Sequence, residues 1–306
     1  MKIAIHGLGR MGMQIARKLA ESGHEVIAHN RSDEPLEEAA RYGCTVAHAK
    51  DDVVAAFDGA IAVVWVMLPA EISDDEIAEW SHLLPNGSII INGGNSDYRH
   101  TQELNKVVMA AGKILVDVGV SGGVWGYERG FPLMIGCDDQ TTVHDVLAPA
   151  FKTLAEPAGA YQYFGPSGAG HYVKMTHNAI EYGIMQSLAE GYQLLKEGPY
   201  PDIDLAAAGN VWQHHSVIES WLNELTRQAV AENPNLDGVS GYVAESGEAR
   251  WALDTAKNHH IDMPAIQAAF DVRLASQKGK TSFATKIVAA QRNKFGGHNP
   301  NGEGRA

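Results

Sequence analysis

The amino-acid sequence predicts an α/β protein, with a doubly wound parallel β-sheet domain followed by an all-α domain. Strand-like and helix-like segments alternate over about the first 165 residues, which is typical of βαβ units. Residues 60–66 form a continuous apolar run, as expected for a central strand covered on both faces. The strand pattern ends near Pro166, where glycines at 165, 168 and 170 mark the change to helical sequence.

Short apolar runs predict five inner strands in the first domain. They lie at residues 2–6, 25–29, 60–66, 88–91 and 114–118. Helical periodicity predicts the segments between them, at residues 11–21, 35–42, 74–83 and 97–111. Residues 131–135 and 161–164 are predicted to add edge strands. The alternation therefore predicts a sheet with helices on both faces.

The second domain is predicted to be helical almost to its end. A long helix at residues 168–196 precedes helices at 203–209, 214–231, 242–258, 263–277 and 281–293. The last dozen residues are too polar and glycine-rich to pack by themselves. We therefore predict domains at residues 1–166 and 167–306.

Composition limits the class of partner. The formal net charge of −13 argues against nucleic acid, because DNA and RNA binders normally carry a basic footprint. An anionic ligand would therefore need a few Arg and Lys residues placed locally.

No apolar stretch reaches the length of a membrane helix, and no secretion segment is visible at the start. With only Cys44 and Cys137, we expect a reducing, cytoplasmic location.

The segment Gly7-Leu8-Gly9-Arg10-Met11-Gly12 follows the first strand and opens the first helix. Its glycines permit a tight turn, a close approach by pyrophosphate and close packing of helix on strand. The helix N-terminus then offers N–H groups and a positive dipole end to phosphates. Because strand and helix flank the motif, we predict a dinucleotide-binding Rossmann domain rather than an unoccupied glycine turn.

The end of the second strand bears on the choice between NAD and NADP. The sequence there is Asn30-Arg31-Ser32-Asp33. An arginine and a hydroxyl suit the extra phosphate of NADP, whereas an inward-facing Asp33 would repel it. The segment favours NADP and leaves the use of both cofactors open.

Polar residues line one face of the predicted long helix. Lys174, His177, Asn178 and Glu181 fall at helical offsets of zero, three, four and seven, and Tyr182 extends the face. A cation, an imidazole, an amide and a carboxylate are costly to bury against an apolar core. The face therefore suits a polar substrate, although a solvated face with local ion pairs is the open alternative.

Together these motifs resemble the 6-phosphogluconate dehydrogenase family, within the β-hydroxyacid dehydrogenases. The resemblance is carried by the glycine motif, Asn30-Arg31-Ser32, Gly93-Gly94-Asn95-Ser96, Gly119-Val120-Ser121-Gly122-Gly123 and Lys174-x-x-His177-Asn178-x-x-Glu181-Tyr182. The length resembles the short, mainly bacterial form. Met67 and Ser246 stand where the long form has lysines near the cofactor and the substrate phosphate.

The resemblance implies an enzyme that oxidises and decarboxylates 6-phosphogluconate with NADP or NAD. It implies Lys174 as general base and Glu181 as the acid that protonates the enediol. For this role the amine must be neutral, so its pKa must fall below about 10.4. The implied substrate-binding residues are Asn95, Ser121, Gly122, Gly123, His177, Asn178, Tyr182, Arg273, Arg292 and His298. The implied cofactor-binding residues are Gly7, Leu8, Gly9, Arg10, Met11, Gly12, Asn30, Arg31, Ser32, Met67 and Asn95.

The resemblance also implies a homodimer or homotetramer, with a C-terminal tail that carries Arg292 and His298 into a neighbouring subunit. In this interpretation residues 167–306 bind substrate and form the oligomer. No metal is implied, because the adjacent pairs His214-His215 and His259-His260 lack ligand spacing. A non-decarboxylating β-hydroxyacid dehydrogenase, related to those acting on 3-hydroxyisobutyrate, remains an alternative that would not need Glu181, Arg273 or the tail.

Overall fold

The computed structural model describes residues 1–300 and divides into two compact units, Met1–Met175 and a second beginning at Thr176. The first unit contains an eight-stranded sheet. Its strands are β1 (Lys2–His6), β2 (Glu25–His29), β3 (Thr45–Ala47), β4 (Val63–Val66), β5 (Ile89–Asn92), β6 (Ile114–Val120), β7 (Leu133–Gly136) and β8 (Tyr161–Gly165). The predicted boundary at residue 166 stays a prediction.

Helices connect the strands of this unit. They are α1 (Arg10–Glu21), α2 (Asp33–Arg41), α3 (Lys50–Ala56), α4 (Ala70–Leu83), α5 (Tyr98–Ala110), α6 (Gly126–Arg129) and α7 (Gln140–Ala155). The strand order is β3-β2-β1-β4-β5-β6-β7-β8, and β7 is antiparallel to β6 while the other neighbours pair in parallel. The predicted doubly wound sheet is confirmed, and β7 and β8 both run opposite to the other six strands, which the sequence did not reveal.

The sheet is buried on both faces. One hydrophobic cluster packs around Ile5 and Phe151, and a second packs around Val64 and Trp80. Strand β4 lies wholly inside, as its apolar run predicted, although it begins at Val63 rather than at residue 60. A parallel sheet needs such double coverage, because its crossover helices lie on both faces.

The sequence prediction missed strand β3 and helices α3, α6 and α7 of the first unit. Strand β3 has only three residues, and helix α3 has only seven, so neither gives a clear period. Helix α7 contains Pro149, a residue that normally argues against a helix interior. Its start is nevertheless defined by Asp139, whose side chain accepts a hydrogen bond from the Thr142 backbone N–H.

The remaining elements are helices. They are α8 (Ala169–Glu197), α9 (Leu205–Trp212), α10 (Trp221–Glu232), α11 (Glu248–Asn258), α12 (Pro264–Ser276) and α13 (Phe283–Gly296). After β8 the described residues contain no further strand, as predicted. The core of the second unit gathers Met185 and Tyr192 of α8 with Ile287 of α13.

Two predicted helices of this unit were too long at their starts. Residues 214–220 are not helical, because the backbone turns at His215, which has φ of 63°, and Ser220 then caps α10. Residues 242–247 are not helical either, because Gly247 has φ of 98° immediately before α11. Periodicity alone did not show these backbone reversals.

Across residues 1–300, no helix combines the length and the apolar character that crossing a membrane requires. The same residues contain no group of three or more His, Cys, Asp or Glu side chains placed to hold a metal ion. His214, His215, His259 and His260 are exposed, and His259 ends helix α11.

Candidate active site

The glycine turn after β1 is tightly packed at two of its three glycines. Gly7 has φ of 99°, and a Cβ there would lie 2.6 Å from the Met67 carbonyl oxygen. A Cβ at Gly12 would lie 1.9 Å from the Gly7 carbonyl oxygen. Around Gly9, by contrast, a Cβ would meet nothing within 4 Å. The protein itself therefore gives no steric reason for Gly9, and close approach of a pyrophosphate supplies one.

Helix α1 starts at this turn with its N-terminus available to a ligand. Gly9 is the N-cap, and no side chain caps the helix. Arg10 and Met11 follow in the first turn; Arg10 is exposed and Met11 is half-buried. An N-terminus of this kind binds anions through its backbone N–H groups and the helix dipole.

Asn30 fixes the turn from the neighbouring strand. Its side-chain oxygen accepts a hydrogen bond from the Leu8 backbone N–H at 3.1 Å, and its amide nitrogen donates to the Ser32 hydroxyl at 2.9 Å. Arg31 and Ser32 are exposed beyond the end of β2. Asp33 lies 3.3 Å from His48, measured from Oδ1 to Nδ1. The structure thus gives Asn30 a role in holding the loop that the sequence did not indicate.

The end of β5 forms a second glycine segment. A Cβ at Gly93 would lie 2.5 Å from the Met67 sulfur, so Met67 packs against both glycine segments. The side-chain oxygen of Asn92, which is fully buried, accepts from the Gly94 backbone N–H at 3.3 Å. Asn95 itself is exposed. Asn92 therefore holds the backbone of the glycine segment, and Asn95 is the residue of this segment whose side chain is exposed to a ligand.

Asp117 of β6 anchors the start of helix α8, although the sequence analysis did not single it out. One carboxylate oxygen accepts the Gly168 N–H at 2.7 Å, and the other accepts the His171 N–H at 2.9 Å. The side chain is completely buried. Two of the N–H groups at the helix N-terminus are thereby satisfied from a central strand.

The same strand positions Lys174. A Cβ added at Gly119 would lie 2.3 Å from the Lys174 Cβ, so the helix packs directly on the strand at this glycine. Two residues further on, Ser121 begins the loop in which Gly122 and Gly123 have φ of 108° and 55°. Lys174 is only 8% exposed. The structure therefore brings Lys174 to the strand that leads into the Ser121–Gly123 loop, and burial disfavours a charged amine.

His171 is a second residue that the sequence analysis passed over. It is 1% exposed, and its Nδ1 lies 2.7 Å from the Thr101 hydroxyl. Burial lowers the pKa of His171, against an opposing effect of Asp117. The sequence feature that could have identified His171 is its position in the segment Gly170-His171-Tyr172-Val173-Lys174, three residues before Lys174.

In the second unit, the polar face of α8 forms a connected group. The Asn178 side-chain oxygen lies 2.9 Å from His177 Nδ1, and the Asn178 amide nitrogen donates to Glu248 Oε1 at 2.8 Å. Glu181 Oε2 lies 3.9 Å from His177 Nδ1. His177, Asn178 and Glu181 are all partly exposed. The assignment of this face to a polar substrate, rather than to a solvated face with local ion pairs, stays a prediction.

Tyr182, Arg273 and Arg292 gather in the same unit. The Arg273 guanidinium lies 3.3 Å from the centre of the Tyr182 ring, a cation–π contact, and both side chains are buried. Burial lowers the pKa of Arg273 to about 10, Tyr182 opposes this effect, and the charge of Arg292 adds to it. Two buried guanidinium groups repel each other, and a dianionic ligand between them would offset both positive charges.

His298 and Ser246 lie nearer the surface than these residues. His298 is half-buried, and its backbone carbonyl oxygen accepts from the Asn293 amide at 2.9 Å. Ser246 is exposed. Arg292 is buried, and its charge acts on Arg273 of the same chain. The resemblance, by contrast, implies that Arg292 reaches the active site of a neighbouring subunit. Contribution of the tail to a neighbour stays a prediction.

The glycine turn on a doubly wound sheet defines a dinucleotide-binding domain, as the motif predicted, and the relatives below place the chain among the NAD(P)-dependent oxidoreductases. Family models agree over almost the whole chain. The NAD binding domain of 6-phosphogluconate dehydrogenase matches residues 2–165, and the 6-phosphogluconate dehydrogenase C-terminal domain matches residues 170–302. The chain belongs to the 6-phosphogluconate dehydrogenase family, which confirms the resemblance.

Individual relatives span the chain. YqeC of Bacillus subtilis is 35% identical, over 97% of this chain and 98% of that protein. The NAD(+)-dependent, decarboxylating 6-phosphogluconate dehydrogenase of Haloferax volcanii is 34% identical, with the same coverage. The 6-phosphogluconate dehydrogenase of Plasmodium falciparum has a TM-score of 0.81 at 23% identity, covering 95% of this chain and 70% of that one. At that identity the structural likeness supports the fold alone.

Proposed function

We propose that the chain catalyses the oxidative decarboxylation of 6-phosphogluconate to ribulose 5-phosphate and carbon dioxide, with NADP or NAD as oxidant. The observation that carries this proposal is the single helix α8, which presents Lys174, buried beside β6, and then His177, Asn178 and Glu181. A lysine and a carboxylate on one helix face provide the base and the acid that the two steps need.

The glycine turn fits the dinucleotide. Gly9 leaves space where any other residue would place a Cβ, and the uncapped N-terminus of α1 would hold the pyrophosphate. When bound, the nicotinamide supplies a hydride acceptor. Arg31 and Ser32 are exposed beyond the end of β2 and favour NADP.

Lys174 would act as the general base. It takes the proton of the substrate hydroxyl at carbon 3 as the hydride departs, which leaves a 3-keto acid. Cleavage of the bond between carbons 1 and 2 then releases carbon dioxide, and the electron pair forms an enediol. Lys174 returns its proton to the oxygen at carbon 3, which completes the enediol. Glu181 then protonates carbon 2, which becomes carbon 1 of the product, while Lys174 takes back the proton of the carbon-3 hydroxyl, so that carbon 3 becomes the ketone of ribulose 5-phosphate. Burial of Lys174 supports a neutral amine at the start.

The other polar groups would bind the substrate. Ser121, Gly122 and Gly123 offer a small-residue loop to the carboxylate, and His177, Asn178 and Asn95 would hold hydroxyl groups. Tyr182, Arg273 and Arg292 would bind the phosphate, so a local cluster of cations overcomes the net charge of −13. His298 would add to this group from the tail of a neighbouring subunit in a homodimer or homotetramer.

This reaction belongs to the pentose phosphate pathway. Cys44 and Cys137 are buried free thiols, which supports a reducing, cytoplasmic setting.

Purified protein incubated with 6-phosphogluconate should reduce NADP or NAD and release an equal amount of carbon dioxide. Comparison of steady-state kinetics with the two cofactors gives the preference, for which we expect the lower KM with NADP. Oxidation without carbon dioxide would assign the chain to the non-decarboxylating alternative. Absence of any reduction would overturn the proposal.

Replacement of Lys174 tests the assignment of the base. Lys174→Met removes the amine at similar volume, so both reduction of the cofactor and release of carbon dioxide should become undetectable while cofactor binding is retained. Lys196→Met, in the last turn of the same helix, is the control and should retain activity. A Lys174→Met variant with near-normal kcat would show that another group is the base.

A further inference from the structure

Glu248 is a buried carboxylate to which the family resemblance assigned no role. It is 2% exposed and occupies the first turn of helix α11. Gly247 sets its position, because its φ is 98° and a Cβ there would lie 2.5 Å from the Trp251 ring. An acidic group at a helix N-terminus interacts favourably with the helix dipole.

The contacts of Glu248 lead to the polar face of α8. Oε1 accepts the Asn178 amide at 2.8 Å, whereas Oε2 has no hydrogen-bond donor within residues 1–300. Burying a carboxylate with so few donors costs free energy that an apolar residue would avoid. The described chain therefore uses this carboxylate to hold Asn178.

The orientation of Asn178 has a consequence for His177. A carboxylate only accepts hydrogen bonds, so the NH₂ group of Asn178 must face Glu248, and its oxygen must face His177. An amide oxygen only accepts as well, so His177 Nδ1 must carry the proton. In the neutral ring Nε2 is then the acceptor.

We propose that Glu248 is a positioning residue that sets the hydrogen-bonding polarity of the His177–Asn178 pair. It orients the Asn178 amide, which selects the His177 tautomer with an accepting Nε2. Such a nitrogen receives a hydrogen bond from a substrate hydroxyl and discriminates against a carbonyl oxygen at the same place. The hydroxyl itself rests on the proposed function, whereas the tautomer is a property of the protein alone.

Two variants separate the hydrogen bond from the charge. Glu248→Gln keeps an oxygen that can accept from Asn178, whereas Glu248→Met keeps the volume and loses the acceptor. Asp254→Asn is the matched control, because it removes one negative charge from an exposed position of the same helix. Circular dichroism melting verifies that each variant is folded.

Nitrogen-15 spectra of the histidine rings test the tautomer without turnover. The protein is labelled at its 14 histidines, and His177 is assigned by its loss in a His177→Gln variant. At pH 8 we expect a protonated Nδ1 in the wild type, in Asp254→Asn and in most of the Glu248→Gln population. Glu248→Met should shift His177 toward the tautomer protonated at Nε2. An unchanged His177 signal in Glu248→Met would overturn the proposal.

Kinetics with 6-phosphogluconate test the consequence for binding. Loss of a hydrogen bond to a charged group should raise KM in Glu248→Met about tenfold or more, with a smaller change in kcat. Glu248→Gln should recover most of this loss, and Asp254→Asn should resemble the wild type. Equal KM values for the Gln and Met variants would overturn the positioning role. A wild type that does not turn over 6-phosphogluconate would instead contradict the proposed function, and the ring spectra would still decide the role of Glu248.

Discussion

At the scale of single residues, burial determines what each ionisable group can do. Lys174 and Arg273 are both less than one-tenth exposed, yet they differ in their surroundings. Lys174 lies against a glycine of β6, whereas Arg273 lies over the Tyr182 ring and near the charge of Arg292. Burial suits the neutral lysine that we propose as the base, while the clustered guanidinium groups suit the anion binding that we propose for them.

Arg273 is expected to contribute to substrate binding rather than to the chemical step. Arg273→Ala removes both the stacked cation and its hydrogen-bond donors, so KM for 6-phosphogluconate should rise about tenfold or more. The KM for the cofactor should not change. Steady-state kinetics check this, with Arg227→Ala as the control because Arg227 pairs with Glu224 on α10. An effect of Arg273→Ala confined to kcat would contradict the assignment.

His6 is expected to make the protein sensitive to acid. Burial, with smaller effects of His29 and Lys50, lowers the pKa of His6 to about 3, and its Nδ1 accepts a hydrogen bond from the Trp80 ring. The unfolded chain binds the proton at a pKa near 6.5, so the unfolded state takes up protons first as pH falls. The contribution of His6 to the free energy of unfolding is therefore fully present above pH 6.5 and is lost progressively as the pH falls toward 3.

Urea unfolding between pH 7.5 and 4.5 measures this effect. Compared with His6→Asn, which keeps an acceptor for Trp80, the wild type should lose up to about 1.4 kcal/mol more per pH unit below 6.5. His214→Asn, at an exposed position, should follow the wild type. Parallel curves for the wild type and His6→Asn would show that His6 does not contribute.

At the scale of elements, β6 positions the start of α8, the helix to which we assign the chemistry. Asp117 accepts two N–H groups at the N-terminus of α8, and Gly119 lets the helix approach the strand. The next residues of the same strand lead into the Ser121–Gly123 loop. One strand thus fixes both where α8 begins, through Asp117, and how closely Lys174 approaches the strand, through Gly119. This is the physical reason for an aspartate and a glycine at these positions.

Substitution of Gly119 tests this packing. Gly119→Ala would place a methyl group 2.3 Å from the Lys174 Cβ, so the helix start must move. Because a displacement of about 1 Å can cost a hundredfold in rate, kcat should fall by roughly that factor. Cofactor binding, measured by fluorescence titration, should change little. Gly191→Ala in the same helix has free space around its new methyl group and should keep full activity. Equal kcat values for the two variants would contradict this account.

At the scale of the whole molecule, exposed apolar side chains give a prediction about association. Val217 is fully exposed and Ile218 is 47% exposed in the segment between α9 and α10, and Val211 near the end of α9 is 70% exposed. We expect these apolar groups to contact another chain, and a second copy is the partner that the resemblance implies. The net charge of −13 makes an apolar contact more plausible than one based on opposite charges.

Sedimentation velocity tests this prediction. The wild type should sediment as a dimer or tetramer, and Val217→Asp should raise the dissociation constant at least about tenfold, because a charge would be buried without a partner. Ile61→Asp is the control, since Ile61 is 59% exposed in the first unit. A monomeric wild type, or equal association of the two variants, would contradict the prediction.

The sequence by itself determined the fold class, the dinucleotide turn and the family, because each depends on residues close together in the chain. Gly7, Gly9 and Gly12 act within six positions, and Lys174 to Tyr182 share one helix. Only the tertiary structure decided how these pieces are held. Asp117 meets His171 across 54 positions and Asn178 meets Glu248 across 70, and no local period reports such contacts. The helix starts at Trp221 and Glu248 were decided by backbone reversals, because the energy of a left-handed residue depends on its surroundings.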